Sequence, residues 1–154
     1  MKAKRITSLI LALALALSLC LTGCGSQDTQ EPAGESTGSD DATYTVGICQ
    51  LVQHDALDAA TQGFIDALNE ALPGQVKIVE KNASGDSVNC STIVNGFVSD
   101  GVDLIMANAT ASLQAAQAGT ADIPILGTSV TDYGTALGID DWTGTTGTNI
   151  SGTA

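Results

Sequence analysis

The sequence predicts an α/β fold, a doubly wound parallel sheet with helices on both faces, and three observations carry that prediction. Short apolar runs rich in β-branched residues alternate along the chain with longer stretches whose apolar residues recur every three or four positions. The links between them are only a few residues long. Glycine, proline, asparagine and aspartate mark the boundaries. Strand and helix in strict alternation with short links require right-handed crossovers, and hence parallel strands.

The elements follow in order. "YTVGICQLV", Tyr44 to Val52, is apolar and β-branched, as expected of a strand covered on both faces. Leu57, Ala60, Phe64, Leu68 and Leu72 then repeat at helical spacing until Pro73–Gly74 stops the helix. "QVKIVEKN", Gln75 to Asn82, alternates as a strand. Asp86 is placed to cap a second helix whose stripe is Cys90, Ile93, Val94, Phe97 and Val98, ended by Gly101. "DLIMAN", Asp103 to Asn108, reads as a short buried strand. The Ala-rich "ATASLQAAQAG" reads as a helix capped near Thr110 and ended at Gly119. "IPILGTSV", Ile123 to Val130, is a fourth strand. The remainder is Gly/Thr-rich and irregular, with a weak strand within Asn149 to Thr153.

In such sheets ligands bind outside the carboxyl ends of the strands. The segments there are "QLVQHD", "NASGD", "ANATAS" and "GTSVTD". They contain His54, Asp55, Asn82, Ser84, Asp86, Asn108, Thr110, Ser112, Thr128, Ser129, Thr131 and Asp132. Short hydroxyl, amide and carboxylate groups beside helix starts suit a small polar or zwitterionic molecule, with helix N-termini favouring a carboxylate and Asp132 an ammonium group. Asp55 and Asp86 are expected to serve only as helix caps. There is no GxGxxG after the first strand, no GxxxxGK[ST] and no GxSxG, which argues against dinucleotide enzymes, NTPases and α/β-hydrolases.

Residues 44–154 suffice for one domain. Before them, "MKAKR" precedes an apolar run from Ile6 to Leu21. "LTGC", Leu21 to Cys24, resembles the lipobox of bacterial lipoproteins. That resemblance implies a signal peptide over residues 1–23 and a diacylglycerol-bearing Cys24 that anchors the chain to the membrane on its extracytoplasmic face. Residues 24–43 lack large apolar side chains and read as a flexible acidic tether. With the leader removed, Lys77 and Lys81 stand alone against 17 acidic residues, a formal charge of −15. Such a surface repels nucleic acid, and no nucleic-acid partner is expected. Cys49 and Cys90 remain, expected as partly buried free thiols with a disulfide as the alternative. No Cys/His cluster suggests a metal, and no cofactor is expected.

"VGICQLVQHDALDAATQGFIDAL", "DLIMANATASLQAA" and "DIPILGTSVTD" together resemble the ABC-transporter substrate-binding proteins of the tryptophan/tyrosine type, from Thr45 to the C-terminus. The resemblance implies the Rossmann/flavodoxin-like N-terminal lobe of a type I periplasmic binding protein. Two such lobes close on a small molecule, aromatic amino acids above all, and present it to an ABC permease in the membrane. The chain is expected to stop before the second lobe. By position, the resemblance implies a ligand-binding set of Gln50 and His54 on the first loop, Asn108, Thr110 and Ser112 at the third strand end, and Thr131 with Asp132 on the fourth. Asp55 and Ala111 stand where the family commonly has proline or, at the first position, alanine. A sensory lipoprotein reporting to a membrane receptor shares this fold. An enzyme built on Cys49 and His54 is disfavoured, because Cys49 lies within a strand, His54 lies beyond its end, and the chain has no second histidine.

Overall fold

The computed structural model describes residues 44–153. The leader, the tether and the lipobox cysteine lie outside the described residues. The elements are β1 (Tyr44–Gln50), α1 (Asp55–Ala71), β2 (Val76–Asn82), α2 (Ser87–Asp100), β3 (Leu104–Asn108), α3 (Thr110–Gly119), β4 (Ile125–Thr128), α4 (Tyr133–Leu137) and β5 (Ile150–Gly152). The five strands form one sheet in the order β2-β1-β3-β4-β5, and every pairing is parallel.

That order explains how the helices are distributed. The chain winds one way from β1 to β2, then reverses and winds the other way through β3, β4 and β5. Right-handed crossovers put helices on opposite faces for opposite directions of travel. So α1 packs alone on one face, its Phe64, Ile65 and Leu68 against Val46, Ile48 and Met106. The other three helices share the second face, where Val94, Phe97, Leu113, Ala116, Tyr133 and Leu137 pack with Cys49, Ile105, Ala107 and Ile125. The switch of direction falls between β1 and β3.

Two close approaches set the spacing of the second layer. Gly47 lets the Phe97 ring rest on β1, since a Cβ there would lie 2.7 Å from the ring. Gly119 does the same for Val94, which would meet such a Cβ at 2.6 Å. The element expected least from sequence is α4. It has only five residues, yet Asp132 caps it and the left-handed Gly138 closes it. The weak C-terminal strand forms as β5 and pairs with β4. Strand β4 is shorter than expected, Ile125–Thr128, because Ser129 turns left-handed.

Candidate functional site

Among the described residues, the three non-glycine residues with positive φ sit just past the carboxyl ends of strands: Ser84 after β2, Ala109 after β3 and Ser129 after β4. Left-handed backbone costs energy for such residues, and proteins concentrate it where loops are held in fixed shapes. Main-chain bonds lace this rim together. Ala83 donates to the Gln50 carbonyl at 2.9 Å, Gly85 to Leu51 at 2.7 Å, Leu51 to Asn108 at 3.2 Å and Ala109 to Thr128 at 3.0 Å.

The helix starts at this rim differ in their caps. On α1 the cap is His54, whose Nδ1 accepts from the Ala56 amide at 3.2 Å, and not Asp55, which lies one residue inside the helix. In the neutral ring this leaves the proton on Nε2, pointing outward from an exposed side chain. Asp86 caps α2 as expected, accepting from Val88 at 2.7 Å. Thr110 does not cap α3. Its cap position is Ala109, which offers no side-chain bond, so the first amides of α3 are left for another acceptor. Asp132 caps α4 by accepting from the Thr135 amide at 2.6 Å.

That last bond holds the Asp132 carboxyl below its usual value of 3.8, chiefly through the Thr135 amide and next through its hydroxyl. A carboxyl depressed in the folded state stabilises above its unfolded value and loses that contribution as pH falls through the folded one. Acidification below 3.8 is therefore expected to fray α4 first, seen as movement of the Thr135 amide resonance. Asp132→Ala should cause the same fraying at neutral pH, whereas Asp132→Asn should keep the cap and abolish its pH dependence.

The structure divides the seven residues of the implied ligand set into two groups. His54, Thr131 and Asp132 are exposed and Thr110 is half-buried, all at the rim. Gln50, Asn108 and Ser112 lie beneath it, at 2 %, 0 % and 0 % exposure. The physical reason is their pairing. The Gln50 amide nitrogen donates to Asp58 Oδ1 at 2.5 Å and to the Val52 carbonyl at 3.0 Å. Its oxygen accepts from Thr61 Oγ1 at 2.6 Å. Asn108 Nδ2 donates to the Leu57 carbonyl at 2.8 Å and to Thr61 Oγ1 at 2.9 Å. These bonds tie the first turns of α1 to β1 and β3. Asn108 Oδ1 is left without a partner. Ser112 faces the other layer, its hydroxyl 3.7 Å from Cys49 Sγ and 3.6 Å from Cys90 Sγ.

Sequence reading missed Asp58 and Thr61. Their signal was present: both lie on the α1 face that also carries Leu57, Phe64 and Leu68, and polar groups on an apolar stripe need partners.

Cys49 and His54 do not form a couple. Cys49 is fully buried on the α2 side, while His54 is exposed and engaged at the start of α1. Burial pushes the Cys49 thiol from 9.0 up to about 12, with Cys90 adding to the rise and the Ser112 hydroxyl partly opposing it. It is a neutral core thiol at physiological pH, and both described cysteines are free. Among the described residues no group of three or more His, Cys, Asp or Glu side chains is placed to hold a metal. Nor is any described helix long and apolar enough to cross a membrane.

A five-stranded parallel lobe with its polar rim at a topological switch point has the layout of open α/β sheets that bind ligands at their strand ends. Residues 45–154 match the family model described as ABC transporter substrate binding protein. The chain belongs to this family. Among curated relatives of this substrate-binding family, a tyrosine-binding protein of Clostridioides difficile (strain R20291) is 41 % identical over 158 residues, covering 100 % of this chain and 45 % of the relative. A ligand-free, open substrate-binding protein with adhesive properties from Clostridium difficile is 42 % identical with a TM-score of 0.67, covering 73 % of this chain and 39 % of that one. An ABC domain from Streptococcus pneumonia in complex with L-Trp is 31 % identical with a TM-score of 0.66, covering 72 % and 38 %. The chain thus spans less than half the length of these substrate-binding relatives, and the described lobe corresponds to one part of them.

Proposed function

We propose that this lobe is one jaw of a solute clamp that takes up an aromatic amino acid, L-tyrosine or L-tryptophan, for an ABC importer. The observation that carries the reading is the α3 N-terminus: it has no side-chain cap and opens at the rim beside the switch point. Unpaired helix amides at a positive dipole end suit an amino-acid carboxylate. Thr110 stands in that first turn, with His54, Thr131 and Asp132 on the same rim to hydrogen-bond the solute and face its ammonium group. Gln50, Asn108 and Ser112 act beneath, holding the strand ends and helix starts in place. The tyrosine-binding relative and the L-Trp-bound homologue support the choice of solute. Lipidation at Cys24 would tether the clamp to the outer face of the membrane beside its permease.

A chimaera joining residues 44–154 to the remaining portion of the tyrosine-binding relative tests this. With L-tyrosine or L-tryptophan at a hundred times Kd, it should gain about 2.7 kcal/mol of stability and a correspondingly higher Tm. Thr110→Glu, which sets a carboxylate at the carboxylate seat, should weaken binding at least roughly tenfold. No stabilisation by either amino acid would rule out the proposed solute class.

A further inference from the structure

At the far edge of the sheet lies a cavity of about 270 Å³ that the solute clamp does not use. It is lined by Tyr133, Trp142, the loop through Thr145 and Thr146, and the edge strand β5, and is about half open to solvent. Its position, two strands beyond β3, sets it apart from the α3 rim.

The floor is built, not accidental. Trp142 and Tyr133 stack with ring centroids 6.1 Å apart and planes inclined by 13°. Trp142 sits over α4 at Gly134, where a Cβ would come within 2.9 Å of the Trp142 Cβ, so only glycine leaves the indole its seat. Tyr133 is fixed by donating to the Thr153 carbonyl at 3.1 Å. Trp142 nonetheless keeps 37 % of its surface exposed. The result is a rigid aromatic surface that remains open.

The walls say what it would hold. No residue lining the cavity is charged. In a chain of formal net charge −12, that is a neutral enclave. A zwitterion or phosphate would find no countercharge there and would lose its hydration uncompensated. The polar groups are hydroxyls and main-chain atoms. Since Ile125 and Gly127 are the β4 residues that bond β5, Ile150 and Gly152 direct their own N–H and C=O groups away from β4, toward the edge. An added peptide strand would need that edge clear. It is not clear, because Thr146 Oγ1 already donates to the Ile150 carbonyl at 2.7 Å. What remains is a half-open cavity with one apolar wall and scattered neutral donors and acceptors.

We infer that this cavity binds one ring of a neutral carbohydrate, its C–H face laid on the Trp142 indole and its hydroxyls met by Thr145 and the outward main chain of β5. A sugar ring joins one apolar face to a rim of uncharged hydroxyls, which is the complement of this lining. The volume, below that of drug-sized pockets, suits a single ring.

Trp142 is the only tryptophan in the sequence, so its emission in the full chain reports this cavity alone. Titration with glucose, galactose and N-acetylglucosamine should give a saturable change for at least one, with Kd on the order of 1–10 mM. Mannitol, a polyol without a ring face, should give none. Thr145→Ala should weaken the response roughly three- to tenfold. Saturation-transfer NMR on Trp142→Leu, with the fold checked by circular dichroism, should lose the sugar signal altogether. Flat titrations with all three rings, an equal response to mannitol, or an undiminished NMR signal in Trp142→Leu would overturn the inference. So would emission that saturates with L-tyrosine instead, because the cavity would then belong to the amino-acid site.

Discussion

Phe97→Ala is expected to cost about 3–5 kcal/mol of folding stability, a loss of roughly 10–20 °C in Tm. Phe97 is 2 % exposed and packs between α2 and the sheet, where Gly47 brings its ring onto β1. Its removal leaves a void bounded by β1, whose backbone is locked on both sides by ladders to β2 and β3 and cannot collapse inward. The reciprocal change tests the same contact from below. Gly47→Ala alone should cost about 1–3 kcal/mol, because the new methyl meets the ring at 2.7 Å. In the Phe97→Ala background that methyl enters the void and its cost should vanish. Urea unfolding of the four proteins would then show non-additivity of about 1–3 kcal/mol. Additive values would mean that ring and glycine are not in the contact described.

The apolar stripes and the alternation of strand and helix were legible because they rest on periodicity. A β-branched run such as Tyr44 to Gln50, or the stripe from Cys90 to Val98, admits one reading once alternation with its neighbours is seen. Helix ends were legible only where one residue type dominates the chemistry, as at Asp86 and Gly101. At α1 two adjacent polar residues competed for the cap. Composition favours Asp55, but His54 has the extended backbone and takes it. Helix α4 escaped because five residues are too few to show a period; its only signal was the Asp132–Gly138 bracket. The rim was legible as a region and not atom by atom. Position at a strand end says that Gln50 and Asn108 are near the site. It does not say whether each turns outward to a ligand or inward to a helix, which depends on Asp58 and Thr61 from a different element. Ser112 is the same case, drawn inward by two sulfurs contributed by β1 and α2.

Gln50→Leu is expected to destabilise the lobe by about 2–4 kcal/mol even though leucine matches its volume and burial. The side chain is the hub of the layer under the rim, and its loss unpairs groups on two sides. Asp58 loses the donor that holds its carboxylate against β1, and Thr61 loses the acceptor of its hydroxyl. Asn108, already carrying one unpartnered oxygen, loses its longer contact with the Gln50 oxygen at 3.4 Å. Unpaired buried groups cost more than the bonds themselves were worth, so removing the partners together should be cheaper than removing the hub alone. Thr61→Val added to Gln50→Leu should therefore cost less than the two single losses combined, by about 1 kcal/mol or more. The effect should also reach the rim. Asp58 and Leu57 are the points at which the first turns of α1 are fastened to β1 and β3, and His54 caps that same end. Hydrogen exchange in Gln50→Leu should then quicken in the first two turns of α1 while the amides of α3 keep their protection. Uniform acceleration across the lobe would instead mark Gln50 as an ordinary core residue with no particular hold on the rim.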